Sequence, residues 1–161
     1  MGAVRKASVI GPGSDSIAAM APPAVSLLYA LREAADAYDE RMTAICTAAG
    51  LTLAQFNLLF YVVEEGPMRL GELAKNCRCV KSNVSYLVRA MEKDALLEIA
   101  ADDDDRRVRH VRATPAGQKA FRLALRAAAQ LEKDVRAALG EKVTDDLIRR
   151  LMGAAHVFDG R

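Results

Sequence analysis

The chain contains no tryptophan, and aromatic residues make up only 5% of its 161 residues. Its three cysteines are too few for a disulfide framework in a chain of this length, so we expect free thiols and a cytoplasmic protein. The formal net charge is only +2, which excludes non-specific wrapping of nucleic acid by the whole surface. A basic patch confined to a few positions is still compatible with that charge.

Long apolar runs are also missing. The best candidate for a membrane span, residues 17–31, is interrupted by Pro22 and Pro23 and falls short of the roughly 20 residues that span a bilayer. No targeting signal is recognisable near the N-terminus. We therefore expect no membrane association.

The sequence motifs of catalysis are absent as well. There is no nucleophile elbow, no HExxH pair and no phosphate-binding loop, and the two histidines, His110 and His156, are far apart in sequence. The aspartates at 102–105 lack the glycine and glutamate of a calcium loop, so we expect a solvated turn there. These observations argue against an enzyme and predict neither a cofactor nor a metal site.

The residues that are present favour one globular, mainly helical domain. Hydrophobic residues make up 52% of the chain and charged residues 27%, and alanine and leucine are abundant. Residues 1–21 are typical of a flexible tail, and we expect a long helix from Pro22 to Gly50. Heptad-like spacing along it is typical of a buried core helix or of one that packs on a partner chain. The spaced residues are Leu28, Leu31, Ala35, Tyr38, Met42 and Ile45.

The stretch 70–97 contains two short amphipathic helical patterns separated by a tight turn. In the first, Leu70, Leu73 and Ala74 lie on one side. The second has an apolar face made of Val80, Val84, Leu87, Val88 and Met91. Its opposite face is polar and consists of Ser82, Ser85, Tyr86, Arg89 and Lys93. This pattern predicts a helix-turn-helix, although two ordinary surface helices would show the same alternation.

A β-hairpin is predicted directly after these helices. Residues 96–99 form a short strand pattern, and residues 106–113 form a returning strand after the aspartate turn. Thr114 and Pro115 then begin a long helix that ends at Gly140, and a last helix is expected at about 143–158. A hairpin behind a helix-turn-helix predicts a winged helix. This hairpin is rich in arginine: Arg106, Arg107, Arg109 and Arg112.

In a winged helix the second helix enters the major groove of DNA, and the hairpin can place arginine in the minor groove. Arg89 is the best candidate for guanine because its guanidinium matches the O6 and N7 acceptors. For the helix residues a solvated face is the alternative, and Asp105 could pair with one wing arginine. The predicted DNA-binding residues are Lys81, Ser82, Asn83, Ser85, Tyr86, Arg89, Lys93, Arg106, Arg107 and Arg109.

The sequence resembles the MarR family of bacterial transcription regulators over roughly residues 25–158. The resemblance is carried by Glu72-Leu73-Ala74, by Lys81-Ser82-Asn83-Val84-Ser85, by Leu87-Val88, Glu92 and Leu96, and by a wing pattern of Asp105, Arg107 and Thr114 that continues into Pro115-Ala116-Gly117.

This resemblance implies a mainly α fold: a winged helix-turn-helix with long N- and C-terminal dimerisation helices and one β-hairpin wing. The dimerisation helices would be residues 22–50 and 114–161, and the DNA-binding lobe residues 51–113. The resemblance further implies a homodimer that binds an inverted repeat in double-stranded DNA, commonly as a repressor. Many such proteins are released from DNA by a small phenolic or aromatic acid.

The effector would bind between the dimerisation helices and the DNA-binding lobe. Arg41 is the expected partner for its carboxylate, although core packing or a surface ion pair is an alternative for every candidate. The candidate pocket residues are Tyr38, Arg41, Met42, Phe56 and Phe60.

The turn before the second helix departs from the family pattern. Arg78 replaces the usual glycine, and Val80 replaces a hydroxyl residue that would cap the helix, at a cost of about 1 kcal/mol. Cys77 and Cys79 stand where relatives have apolar residues, so we expect them to pack in the core. A thiol redox switch or a soft-metal site at this pair is the alternative, although two thiolates do not complete a tetrahedral zinc site.

Overall fold

The structure is a computed structural model and describes residues 26–101 and 109–158. Its helices and strands follow one another as α1 (Ser26–Ala48), α2 (Leu53–Glu64), β1 (Met68–Arg69), α3 (Leu70–Asn76), α4 (Lys81–Lys93), β2 (Leu97–Ala101), β3 (Arg109–Ala113), α5 (Pro115–Leu139) and α6 (Glu141–Phe158). The described chain is therefore mainly helical with a small antiparallel sheet, and the predicted winged-helix fold is confirmed.

The chain divides into two units after Arg41, within α1. In the first unit nearly every described residue is exposed, including Leu28 and Tyr38 of the heptad-like stripe. The predicted start at Pro22 lies outside the described residues. The predicted end is confirmed, because Gly50 adopts a φ of 74° just beyond the helix.

The core of the second unit forms where α2, α3, α4 and α5 meet the sheet. Phe121 of α5 is completely buried and stacks on Phe56 of α2, with 5.2 Å between ring centroids. Burying an aromatic side chain of this kind contributes about 2–3 kcal/mol. A Phe121→Ala change would therefore open a cavity at the centre of the lobe.

Helix α2 begins with a capping box formed by Thr52 and Gln55. The backbone N–H of Gln55 donates to Thr52 Oγ1 at 3.2 Å, and the backbone N–H of Thr52 donates to Gln55 Oε1 at 2.8 Å. The buried side of this helix includes Leu58 and Val62, whereas Phe60 is exposed.

The sheet has three strands in the order β1-β3-β2. Strands β2 and β3 form the predicted hairpin, with Leu97 opposite Ala113 and Ala101 opposite Arg109. Strand β1 was not predicted, because two residues are too few to show the alternation of a strand. It joins the sheet by pairing Met68 with Val111.

Three of the helices end in the same hydrogen-bonded turn, in which two amides after the helix bond back to carbonyls of its last turn. After α1 the amide of Leu51 bonds to the Cys46 carbonyl at 2.9 Å. The corresponding bonds after α3 and α4 are Cys79 to Ala74 at 3.0 Å and Leu96 to Met91 at 2.8 Å. The residue before each donor is left-handed: Gly50, Arg78 (φ 50°) and Ala95 (φ 55°).

Helices α5 and α6 are joined through Gly140, and ion pairs fix the junction. Arg136 lies 2.7 Å from Glu132, 3.0 Å from Glu141 and 2.9 Å from Asp145. Hydrogen bonds to Asp145, Glu132 and Glu141 raise the pKa of the Arg136 guanidinium. One side chain thus connects the last turn of α5 to the first turns of α6.

Among the described helices, none alone has both the length and the hydropathy of a membrane span, although α1 and α2 as a bent pair pass on length and composition.

Candidate nucleic-acid interface

Helix α4 presents a polar face to solvent because its apolar face is held in the core. Val84, Val88 and Met91 are each at most 3% exposed, as the spacing predicted. Val80 is different: it stands one residue before the helix and is 68% exposed. Its placement on the buried face was therefore wrong, because the chain has not yet entered the helix at that position.

The outward face of α4 contains most of the predicted contact residues. Tyr86 is 78% exposed, and the other exposed members of the set are Lys81, Ser82, Asn83, Arg89 and Lys93. Three of these are cationic, while Glu92 is the acidic residue of the helix. The face therefore combines net positive charge with hydrogen-bonding groups, as contact with phosphates and base edges requires.

Ser85 is less exposed than the other predicted contact residues of α4. It is half-buried, and its hydroxyl donates to the Lys81 carbonyl at 2.8 Å. Its oxygen can still accept a hydrogen bond, but its donor is occupied within the helix.

The first turn of α4 lacks a side-chain cap, as the sequence predicted. Val80 has an extended conformation and makes no side-chain hydrogen bond to the helix. Its carbonyl accepts from the amides of Asn83 at 3.0 Å and Val84 at 3.3 Å. The Val80 carbonyl therefore closes the first turn by itself, without the additional acceptor that a hydroxyl cap would provide.

The wing is described at its base and not at its tip. Arg109 is exposed and opposes Ala101 at the far end of the β2–β3 ladder. Arg112 lies 4.0 Å from Glu98 on the neighbouring strand. Arg106, Arg107 and the four aspartates before them lie outside the described residues.

The cysteines near α4 are free thiols in different environments. Cys79 is exposed, and Cys77 is half-buried against the core. Burial, followed by the neighbouring Cys79, raises the pKa of the Cys77 thiol. Core packing was expected for both residues, and Cys77 has it in part. Within the described residues, no group of three or more His, Cys, Asp or Glu side chains could hold a metal ion.

The candidate effector residues fall in contrasting environments. Met42 is buried, and Phe56 is buried against Phe121. Phe60 is 43% exposed and makes edge contacts with Tyr61 and Phe121, at 5.5 and 6.4 Å between centroids. Tyr38 and Arg41 are exposed and belong to the first unit of the chain.

Two residues that position α4 were not predicted to do so. Thr114 was expected only as the cap of α5, yet its hydroxyl also donates to the Ala95 carbonyl at the end of α4, at 2.6 Å. Gly117 approaches the same turn so closely that an added Cβ would lie 2.1 Å from the Leu96 carbonyl oxygen. The Thr-Pro-Ala-Gly sequence signals a helix start, but nothing in it indicates which segment lies against that start.

The model of the MarR family matches residues 49–108 of the chain. No curated protein matches the sequence. Among solved structures, the transcriptional repressor CouR, bound to a 23-mer DNA duplex, is 25% identical, with a TM-score of 0.72 over 80% of this chain and 92% of its own.

Two further solved structures share the fold at lower identity. AbsC, a MarR family transcriptional regulator from Streptomyces coelicolor, is 21% identical with a TM-score of 0.74, over 88% of this chain and 98% of its own. The S. aureus MepR–DNA complex is 16% identical with a TM-score of 0.74, over 85% of this chain and 99% of MepR.

These comparisons confirm the resemblance that the sequence motifs indicated: residues 49–108 match the model of the MarR family, and the described chain shares the winged-helix fold of solved MarR family transcription regulators.

Proposed function

We propose that this chain is a DNA-binding transcription regulator that reads double-stranded DNA as a homodimer in the cytoplasm. The observation that carries the proposal is the outward face of α4. Arg89, Tyr86 and Lys93 are exposed on a helix whose opposite face is fixed in the core. A rigid helix with such side chains is suited to the major groove. CouR and MepR, which are similar in fold, are both described in complex with DNA.

The contacts follow from the chemistry of each side chain. Arg89 would bind guanine through its two-pronged guanidinium. Lys81, Asn83 and Lys93 would bind phosphates and set the register on the duplex, and the polar side chains of Ser82 and Tyr86 would lie against base edges or backbone. From the wing, Arg109 and the two arginines before it, Arg106 and Arg107, would reach an adjacent minor groove.

A homodimer is supported by the apolar side chains that remain exposed at the end of α5 and along α6. Within the described chain these include Met152 at 73% and Val143 at 58% exposure. The remainder of this surface, which we name the C-terminal apolar surface together with these two, is Val135, Leu139, Leu147, Ile148 and Leu151. Patches of this kind mark interfaces, and a second copy of the chain would cover it.

We further propose that the dimer is a repressor of an inverted-repeat operator and is released by a small phenolic or aromatic acid. Such a ligand must prefer a conformation whose recognition helices fit DNA badly. The exposed ring of Phe60, next to Phe121, supports this proposal because it offers an aromatic surface to such a ligand.

The thiol alternative has less support. A thiolate is the reactive form of cysteine, and the raised pKa of Cys77 reduces its thiolate fraction. A soft-metal site would need ligands beyond Cys77 and Cys79, and none joins them among the described residues. Ligand release is therefore the regulation that we propose.

The proposal is tested by DNA binding to the protein's own promoter region, measured by fluorescence anisotropy. Replacing Arg89 with alanine should weaken specific binding about tenfold to hundredfold, the value of one bidentate contact to a base. Arg126→Ala is the matched control, because Arg126 is also an exposed arginine but lies on α5, and its replacement should leave affinity unchanged. Absence of binding by the unaltered protein, or equal affinity of the two variants, would contradict the proposal.

The same assay tests the regulation. A panel of phenolic and aromatic carboxylic acids is added to the complex, and at least one should release DNA and raise the melting temperature of the free protein. If no member of a broad panel does either, release by an aromatic acid is refuted while DNA binding itself stands.

A further inference from the structure

We infer that Thr114 is a positioning residue for DNA recognition: it joins α5 to the end of α4 and so fixes the angle at which α4 meets DNA. The inference rests on the proposed function, because it concerns how the proposed recognition helix is held. It assigns to Thr114 a role beyond that of a helix cap.

The hydroxyl of Thr114 serves two elements at once. Its oxygen accepts a hydrogen bond from the Gly117 amide at 3.0 Å, which caps α5. The same hydroxyl donates its proton to the Ala95 carbonyl, at 2.6 Å. The Thr114 amide donates to the Leu96 carbonyl at 3.1 Å, one step beyond the last β2–β3 pair. The cap of α5 is thus bonded twice to the turn that ends α4.

The conformation of Ala95 allows this junction. A left-handed φ of 55° is unfavourable for a residue with a Cβ atom. It turns the chain out of α4, so that the Ala95 carbonyl meets the Thr114 hydroxyl instead of continuing the helical ladder. The backbone strain at Ala95 is therefore found where α4 is connected to α5.

Gly117 allows the start of α5 to approach the turn after α4 closely. With no Cβ atom, it lets the first turn of α5 lie directly against the carbonyl group of Leu96. Contact of backbone with backbone leaves no flexible side chain to absorb a small rotation. The end of α4 and the start of α5 should therefore move together.

Joint movement has a consequence for a dimer. Helix α5 has 25 residues and is about 37 Å long, and its far end carries part of the C-terminal apolar surface. Two recognition helices must be about 34–36 Å apart, or a multiple of that, to fit successive half-sites. Because α5 is long, a small change in the angle between α4 and α5 changes this separation appreciably.

The experiment compares Thr114→Val with Thr52→Val. Both variants lose the hydroxyl cap of a helix, since Thr52 caps α2 in the same way, but only Thr114 is also bonded to α4. We expect Thr114→Val to bind promoter DNA about three- to tenfold more weakly, the range that one hydrogen bond supports. Thr52→Val should keep its affinity, and Thr114→Ser, which retains the hydroxyl, should restore it.

Affinity is measured at a temperature where circular dichroism shows every variant to be folded, so that a loss of stability alone does not change it. Equal affinities of Thr114→Val and the unaltered protein would overturn the inference, and so would an equal loss in Thr52→Val. If the unaltered protein does not bind DNA at all, the proposed function fails instead.

A second pair keeps the test decisive if Thr114→Val does not fold. Thr114→Asp retains an acceptor for the cap, but its carboxylate has no proton to donate to Ala95. It is compared with Thr52→Asp at two salt concentrations, which separates any effect of the added charge. Equal affinities in this pair would likewise reject the positioning role.

Discussion

Three of the described helices end at a left-handed residue with the same pattern of hydrogen bonds, and only one of these three residues is a glycine. Gly50 pays no steric cost for its φ of 74°, whereas Arg78 and Ala95 carry a Cβ atom at 50° and 55°. A left-handed conformation costs a residue with a Cβ roughly 1–2 kcal/mol. Each of the two turns that flank α4 therefore contains one residue with a strained backbone conformation.

Ala95→Gly should raise the free energy of unfolding by about 0.5–1 kcal/mol. The change relieves the left-handed strain, and part of the gain is offset because glycine has more conformational freedom in the unfolded chain. Urea denaturation at a fixed protein concentration measures the difference. Gly50→Ala is the matched control with the opposite sign, because nothing lies within 4 Å of its added Cβ and only the backbone strain is changed. A destabilised Ala95→Gly would show that this turn is not strained.

At the scale of elements, the contact between α5 and the α4–β2 turn is the closest backbone approach that a glycine makes in the described chain. An alanine Cβ at position 117 would lie 2.1 Å from the Leu96 carbonyl oxygen and 3.0 Å from its carbonyl carbon. A movement of α5 away from the turn would break the hydrogen bonds that Thr114 makes to Ala95 and Leu96.

Gly117→Ala should therefore lower the free energy of unfolding by about 3 kcal/mol, as overpacking against backbone does. The same change at Gly71 meets no atom within 4 Å, and Gly71 lies in helix α3. There alanine should stabilise the protein by about 0.5 kcal/mol through its helix propensity. Thermal denaturation of both variants checks the pair, and equal effects at the two positions would mean that the close approach is absent in solution.

At the scale of the whole molecule, the C-terminal apolar surface is proposed to be the dimer interface. Leu147→Glu combined with Met152→Glu should weaken dimerisation at least about hundredfold, because an unpaired charge buried in an interface costs about 3 kcal/mol or more. Analytical ultracentrifugation measures the dimer, and DNA affinity should fall with it. Lys119→Glu, an exposed change near the start of α5, is the control. A double variant that stays dimeric would exclude this surface as the interface.

How much the sequence determined depended on how local each feature is. The alternation along α4 predicted the buried Val84, Val88 and Met91, because a helix of fixed period repeats its faces regardless of its surroundings. The capping box of Thr52 and Gln55 and the helix start at Thr114 were predictable for the same reason: a cap bonds to residues three positions away. The family resemblance then joined these local signals into a winged helix.

Only the tertiary structure decided which segments meet. Strand β1 exists because Met68 pairs with Val111, 43 residues further along the chain; two residues carry no pattern of their own. The second role of Thr114 depends on the Ala95 carbonyl, 19 positions earlier, and no local spacing indicates that distance. The left-handed Arg78 and Ala95 were decided in the same way, since packing of α4 in the core can outweigh an unfavourable backbone conformation of single residues. The sequence by itself thus determined the recognition helix and its outward face, and long-range contacts decided how that helix is held.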